Sequence, residues 1–304
     1  MEIISGTKGC VALVGANGML GRMIQSLLPA GLKLTCYDLP DFDMTDREQV
    51  SAAFSVSRPD IVINCAAYTA VDACEELEEL ATRVNALGVA HLAWVSRELG
   101  ATLVHISTDY VFSGEQERPY REDDATGPVS AYGRSKLKGE QAILESGLGK
   151  FFIIRTSWLY GPWGGNFVET VLRLAAERQE LRIVADQIGS PTYTSDLGKA
   201  IFRLLAVAAN PRPAATSSYG IYHFASEGCC SWYEFACAIV EEGRHHALPL
   251  KVREIRPIRT EEYPLPAKRP ANSVFDKEKY KQATGAEIPA WRESLQQYFS
   301  VRDI

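Results

Sequence analysis

Tyr132 and Lys136 stand four residues apart in Ala131-Tyr132-Gly133-Arg134-Ser135-Lys136, at the head of an amphipathic stretch that runs to about residue 145. At helical periodicity this spacing puts phenol and ammonium on one face, where the cation eases ionisation of the phenol and its remaining donors can hold a hydroxyl-rich ligand. A tyrosine so placed can exchange a proton with a carbonyl. Such pairs also occur on solvated helix faces, so the residues upstream decide the matter. Thr102-Leu103-Val104-His105-Ile106 is an apolar run that leads into Ser107-Thr108-Asp109-Tyr110. Thr108 is the candidate to hydrogen-bond a ketone oxygen, with Ser107 in its place if the strand end is shifted by one residue.

These groups need a scaffold that brings them to one edge. Cys10-Val11-Ala12-Leu13-Val14 reads as a buried parallel strand and leads into Gly15-Ala16-Asn17-Gly18-Met19-Leu20-Gly21 and an apolar helical pattern. Glycines 15, 18 and 21 let the chain turn sharply and let a pyrophosphate approach the N–H groups at a helix start. A second strand, 33–37, ends at Asp38, whose carboxylate can bind both ribose hydroxyls of an adenosine and repel a 2′-phosphate, which favours NADH over NADPH. Asp43 and Met44 can border an adenine, and Thr45-Asp46-Arg47-Glu48 reads as a capping box. Ile61-Val62-Ile63-Asn64 is a third strand, and Ala66, Ala67 and Tyr68 beyond it let a cofactor pass close. One long helix is expected over 75–99, with Asn85 buried and bonded to backbone. Phe151 to Arg155 is a fifth strand, with Trp158 beyond its end.

Five strands alternating with helices predict an α/β fold, a doubly wound parallel sheet of Rossmann type. Residues 1–156 form the expected dinucleotide-binding domain and 157–304 a smaller α/β substrate domain, with 182–210 a candidate to return to the first. The proline- and serine-rich stretch 210–218 is the clearest linker.

Composition narrows the function. The 304 residues are 46% hydrophobic and 23% charged, with a net charge of −6, and no basic stripe offers a nucleic-acid groove. Seven cysteines and five histidines show no metal-ligand spacing. Reduced thiols, no secretion-signal pattern and no apolar run of membrane length predict a cytoplasmic protein that uses neither membrane nor nucleic acid as a partner.

Gly15-x-x-Gly18-x-x-Gly21 and Tyr132-x-x-x-Lys136 resemble the extended short-chain dehydrogenase/reductase family. Six further blocks cover nearly the whole chain: Thr108 to Phe112, Tyr132 to Glu140, Arg155 to Gly161, Asn166-Phe167, Asp186 to Thr192 and Arg269 to Ser273. Together they resemble that family's dTDP-4-dehydrorhamnose reductases. The resemblance implies NADH- or NADPH-dependent reduction of the 4-keto group of a dTDP-linked deoxy sugar, with Tyr132 the proton donor. It implies sugar or diphosphate contacts from Thr108, Asp109, Tyr110, Trp158, Asn166 and Arg269. It also implies a homodimer and a structural Mg²⁺, for which no residue spacing gives a place. The alternatives are a reductase or epimerase of another nucleotide-linked 4-keto sugar, and a cofactor-binding regulatory subunit without activity. Dehydration is disfavoured because Asp109 is followed by Tyr110, where that chemistry would want a second carboxylate.

Overall fold

The computed structural model describes residues 9–210 and 218–302. Most of the 210–218 linker lies outside them.

The first unit is a six-stranded parallel sheet: Gly220–His223, β5 (Phe151–Thr156), β4 (Thr102–Thr108), β3 (Ile61–Asn64), β1 (Gly9–Val14) and β2 (Leu32–Tyr37), in that order across the sheet. The inner strands β1, β3, β4 and β5 are largely buried on both faces, which is why they read as continuous apolar runs, whereas β2 at the edge exposes Lys33, Thr35 and Cys36. Val11 and Leu13 of β1 pack into one core with α1 (Met19–Ser26), α7 (Thr194–Ala209) and α9 (Glu278–Thr284). Ala12 and Val14 face the opposite core with α2 (Arg47–Ser57), α4 (Val89–Leu99) and α5 (Ala131–Glu145).

A second core gathers α6 (Phe167–Glu177), α8 (Trp232–His245) and α10 (Trp291–Val301) around the parallel pair Glu180–Val184 and Glu254–Ile258. Three elements that follow residue 156 sit on the first sheet. Helices α7 and α9 cover one face of it, and Gly220–His223 pairs in parallel with β5 and adds a sixth strand.

Three local expectations are revised. Asp46, rather than Thr45, caps α2 by accepting from the N–H groups of Glu48 and Gln49. The stretch 75–99 is not one helix: a 3₁₀ turn, α3 (Glu78–Thr82) and a π-helical turn at Arg83–Gly88 precede α4. Tyr132 and Lys136 do share the first turns of α5, yet the ring of one and the ammonium of the other meet different partners, as described next.

Candidate active site

In a sheet of this order the chain leaves β1 to one side and returns through β3 on the other, and the crevice between their carboxyl ends is where ligands bind. The glycine turn follows β1 and residues 65–68 follow β3, so the two loops straddle that crevice. Gly15 has φ +78°, and a Cβ there would lie 2.5 Å from Ala66 N. A Cβ on Gly21 would meet the Gly15 carbonyl. Side chains at either place would close the crevice.

Two cavities open along this edge. One, of about 290 Å³, is lined by Gly15, Gly18, Asp38, Asp43, Met44, Ala66, Ala67 and Tyr68. The other, of about 630 Å³, is lined by Gly18, Met19, Leu20, Gly21, Ala67, Thr108, Asp109, Tyr110, Tyr132, Lys136 and Trp158. Gly18, Cys65 and Ala67 belong to both, so the two are continuous. A further cavity of about 700 Å³ lies behind the 161–165 loop and contains none of Thr108, Tyr132 and Lys136.

Asp38 accepts from Asn17 N at 2.7 Å and from Leu39 N at 2.9 Å, so its carboxylate is fixed against the glycine turn. Asn85, fully buried in the π-helical turn, accepts from Tyr68 N at 2.8 Å and donates to Tyr68 O and Ser135 Oγ. The loop after β3 is thereby tied to α5.

Helix α5 starts at Ser130, whose hydroxyl accepts from Gly133 N. Such a cap is worth about 1 kcal/mol. Gly133 and Gly139 let the helix lie close: a Cβ on the first would meet Tyr110 O, and on the second Asn85 O. Tyr132 packs edge-on against Tyr110, with ring centroids 5.6 Å apart, and shares its cavity with Thr108. Burial raises the phenol's pKa, the Thr108 side chain works against that, and the Asp109 charge adds to it. Lys136 is not among the groups that act on the phenol, so the expected easing of ionisation is absent from the protein alone. The phenol is held as an acid, the form a proton donor requires.

Lys136 is 2% exposed. Its Nζ donates to Ile106 O at 2.7 Å and lies 3.3 Å from His105 Nε2, and burial lowers its pKa to about 8. Thr108 donates to Asp109 Oδ1 at 3.0 Å, and burial raises the Asp109 carboxyl to about 6. Ser107 is unavailable as a substitute for Thr108, since its hydroxyl donates to Glu140 Oε1 at 2.5 Å in the buried interior.

Two predicted sugar contacts fall elsewhere. Asn166 caps α6 by accepting from Glu169 N, and its amide nitrogen donates to Gly161 O and Gly164 O, which leaves it little to offer a sugar. Arg269 is paired with Asp72, Nη2 to Oδ2 2.8 Å, and is not among the residues lining either cavity. His105 and its partner Asn64 stand at no metal-ligand spacing, the pattern by which histidines are most readily recognised in sequence. A histidine within an apolar strand run was the available signal. Among the described residues of this chain no three His, Cys, Asp or Glu side chains gather to hold a metal ion.

Comparison with known proteins follows the same lines. The family described as RmlD substrate binding domain matches residues 10–303. A dTDP-4-dehydrorhamnose reductase of Burkholderia thailandensis is 43% identical over 285 residues, 93% of this chain and 95% of that protein. The spore coat polysaccharide biosynthesis protein SpsK of Bacillus subtilis is 43% identical over 293 residues, 96% and 97% of the two chains. The crystal structure of dTDP-4-dehydrorhamnose reductase from Bacillus anthracis in complex with NADP superposes with a TM-score of 0.89 at 41% identity, covering 97% of this chain and 99% of that one.

Proposed function

The chain belongs to the RmlD substrate binding domain family, and from that membership we propose that it reduces the 4-keto group of dTDP-4-dehydro-L-rhamnose to give dTDP-L-rhamnose, with NADH or NADPH as reductant. One observation carries the reading: Thr108, Tyr132 and Lys136 line a single cavity with the glycine turn.

The residues present fit a nicotinamide dinucleotide. The turn lacks the side chains that would block a pyrophosphate, and the amino end of α1 favours its charge. Asp38 is the candidate for the adenosine ribose, Asp43 and Met44 for the adenine border, and Lys136 for the nicotinamide ribose. The bound nicotinamide supplies a hydride to the keto carbon.

The chain does the rest. Negative charge grows on the keto oxygen as its carbon is reduced, and that oxygen sits between the Thr108 and Tyr132 hydroxyls. Thr108 turns its hydrogen from Asp109 to the oxygen and orients the ketone. Tyr132 delivers the proton that completes the alcohol. The phenolate left behind recovers its proton from solvent. In this reading the first unit binds the cofactor and the second the sugar, in a cytoplasmic homodimer. Seven free thiols suit a reducing compartment.

Mixing purified protein with dTDP-4-dehydro-L-rhamnose and NADH or NADPH, and following nicotinamide absorbance, tests this. Wild type should oxidise the cofactor, and Tyr132→Phe should lose roughly 10²–10⁴ in kcat. Undiminished turnover by that variant would remove Tyr132 from its role. We further propose that Asp38 favours NADH, although the Bacillus anthracis relative was crystallised with NADP. Asp38→Ala should move the kcat/KM ratio toward NADPH, and a wild type that already prefers NADPH would count against the assignment.

A further inference from the structure

Trp158 follows β5 with φ +48°, a left-handed backbone that a tryptophan adopts only when its surroundings enforce it. Two contacts do so. Its indole lies flat on that of Trp232, with centroids 3.5 Å apart and planes 9° from parallel, which is nearly complete face overlap. Its opposite face rests on Gly189, where an added Cβ would come within 2.5 Å of Cε2, 2.7 Å of Cζ2 and 2.8 Å of Nε1, so the ring is held between Trp232 and Gly189. Phe167, the first residue of α6, leans on Trp232 at 4.5 Å and 53° and steadies it. Trp158 lines the cavity that holds Thr108 and Tyr132, whereas Trp232, the first residue of α8, does not.

We propose that Trp232 is a positioning residue for the substrate: it clamps Trp158 in its left-handed conformation so that the part of the indole left open to the cavity borders the pyranose and sets the ketone against Thr108 and Tyr132. The proposal rests on the reduction argued above. Trp232 touches no reacting atom and acts through Trp158 alone. The apolar platform comes from the second unit and the proton donor from the first, so Trp232 sets the sugar's height over the cofactor groove. A pyranose carrying a methyl in place of a hydroxymethyl group suits such an apolar border, since the indole carbons offer no partner for the additional hydroxyl.

A stacked aromatic pair contributes enough to change an equilibrium about 2- to 12-fold. Trp232→Ala should therefore raise the KM for the dTDP-linked keto sugar roughly tenfold, while kcat and the KM for the nicotinamide cofactor change less than about twofold. Trp232→Phe, the conservative variant, should recover part of the loss. Gly189→Ala leaves Trp232 in place and displaces Trp158 from the opposite face, so it should raise the same KM. Trp158→Ala combined with Trp232→Ala should be no worse than Trp158→Ala alone, because the second residue acts only through the first. Two indoles at this distance couple their excited states, and the resulting circular-dichroism couplet should vanish in Trp232→Phe and in Trp158→Phe.

An unchanged sugar KM in a folded Trp232→Ala or Trp232→Phe protein that has lost the couplet would overturn the proposal. So would a loss shared equally by kcat and both KM values, which marks a general structural role. Should Trp232→Ala not fold, the Phe variant and Gly189→Ala carry the same decision. A wild type that shows the couplet and no turnover would instead refute the reduction, so the two failures are distinguishable.

Discussion

Lys136 is the residue on which burial and charge act most directly. Its ammonium has been taken out of water, its first donor is given to Ile106 O, and its pKa falls to about 8. Asn64 Oδ1 accepts from Ala66 N at 3.0 Å, so its amide nitrogen donates to His105 Nδ1 at 3.1 Å. The imidazole is neutral, because burial together with the lysine's charge keeps His105 from acquiring a second proton. A lysine is cationic below its pKa, and ribose hydroxyl oxygens accept from the cation. Affinity for NADH should hence be constant at pH 6 to 7 and fall as the pH rises through about 8, approaching tenfold per unit above it. Fluorescence titration with NADH across that range checks this, and Lys136→Met should bind more weakly with no such slope. A slope retained by the variant would assign it to another group. Tyr132, Lys136 and Thr108 were legible in the sequence because strand ends and an i, i+4 spacing are local. His105 was not, since its partners lie 31 and 41 residues away along the chain.

Among the elements, the π-helical turn at Arg83–Gly88 decides how α5 sits. Its wider turn places Asn85 where one side chain can satisfy both backbone groups of Tyr68 and reach Ser135. The Asn85 carbonyl in turn meets the gap left by Gly139 in α5. Apolar spacing alone reads 75–99 as one helix, because a single extra residue in a turn barely disturbs the hydrophobic pattern. The strands and the glycine turn were readable for the opposite reason: buried parallel strands are short apolar runs closed by glycine or small residues. Asn85→Ala strips partners from the backbone of the loop that lines the cofactor cavity, and buried polar groups left unpaired cost about 1–3 kcal/mol each. The variant should lose stability of that order in urea unfolding and show a raised KM for the nicotinamide cofactor, with the sugar KM little changed. Equal weakening for cofactor and sugar would show that the loop does not act on the cofactor alone.

At the scale of the whole molecule, a buried charge pair of the first unit stands where the added strand Gly220–His223 joins the sheet. Arg155, at the end of β5, is 3% exposed and pairs with Glu140 of α5, 1% exposed, Nη2 to Oε2 2.7 Å. Arg155 also donates to Glu122 O and stands 3.4 Å from His223 Nε2 on the added strand, while Glu140 accepts from Ser107 of β4. This junction was invisible in the sequence, where Gly220–His223 reads as part of the second unit and nothing local announces its pairing with β5. Replacing one member of such a pair leaves the other charge buried, at a cost of about 3–5 kcal/mol, whereas replacing both costs less. Arg155→Met should accordingly lower unfolding stability by that amount. Arg155→Met with Glu140→Gln should be the more stable of the two variants, because the stranded carboxylate is gone and the amide oxygen still accepts from Ser107. The Glu140 charge also holds the Lys136 pKa up against burial. The double variant should therefore shift the midpoint of pH-dependent NADH binding below about 8, while Arg155→Met, which keeps the carboxylate, should not lower it. A midpoint unmoved in the double variant would separate the junction from the active site and leave it a purely structural one.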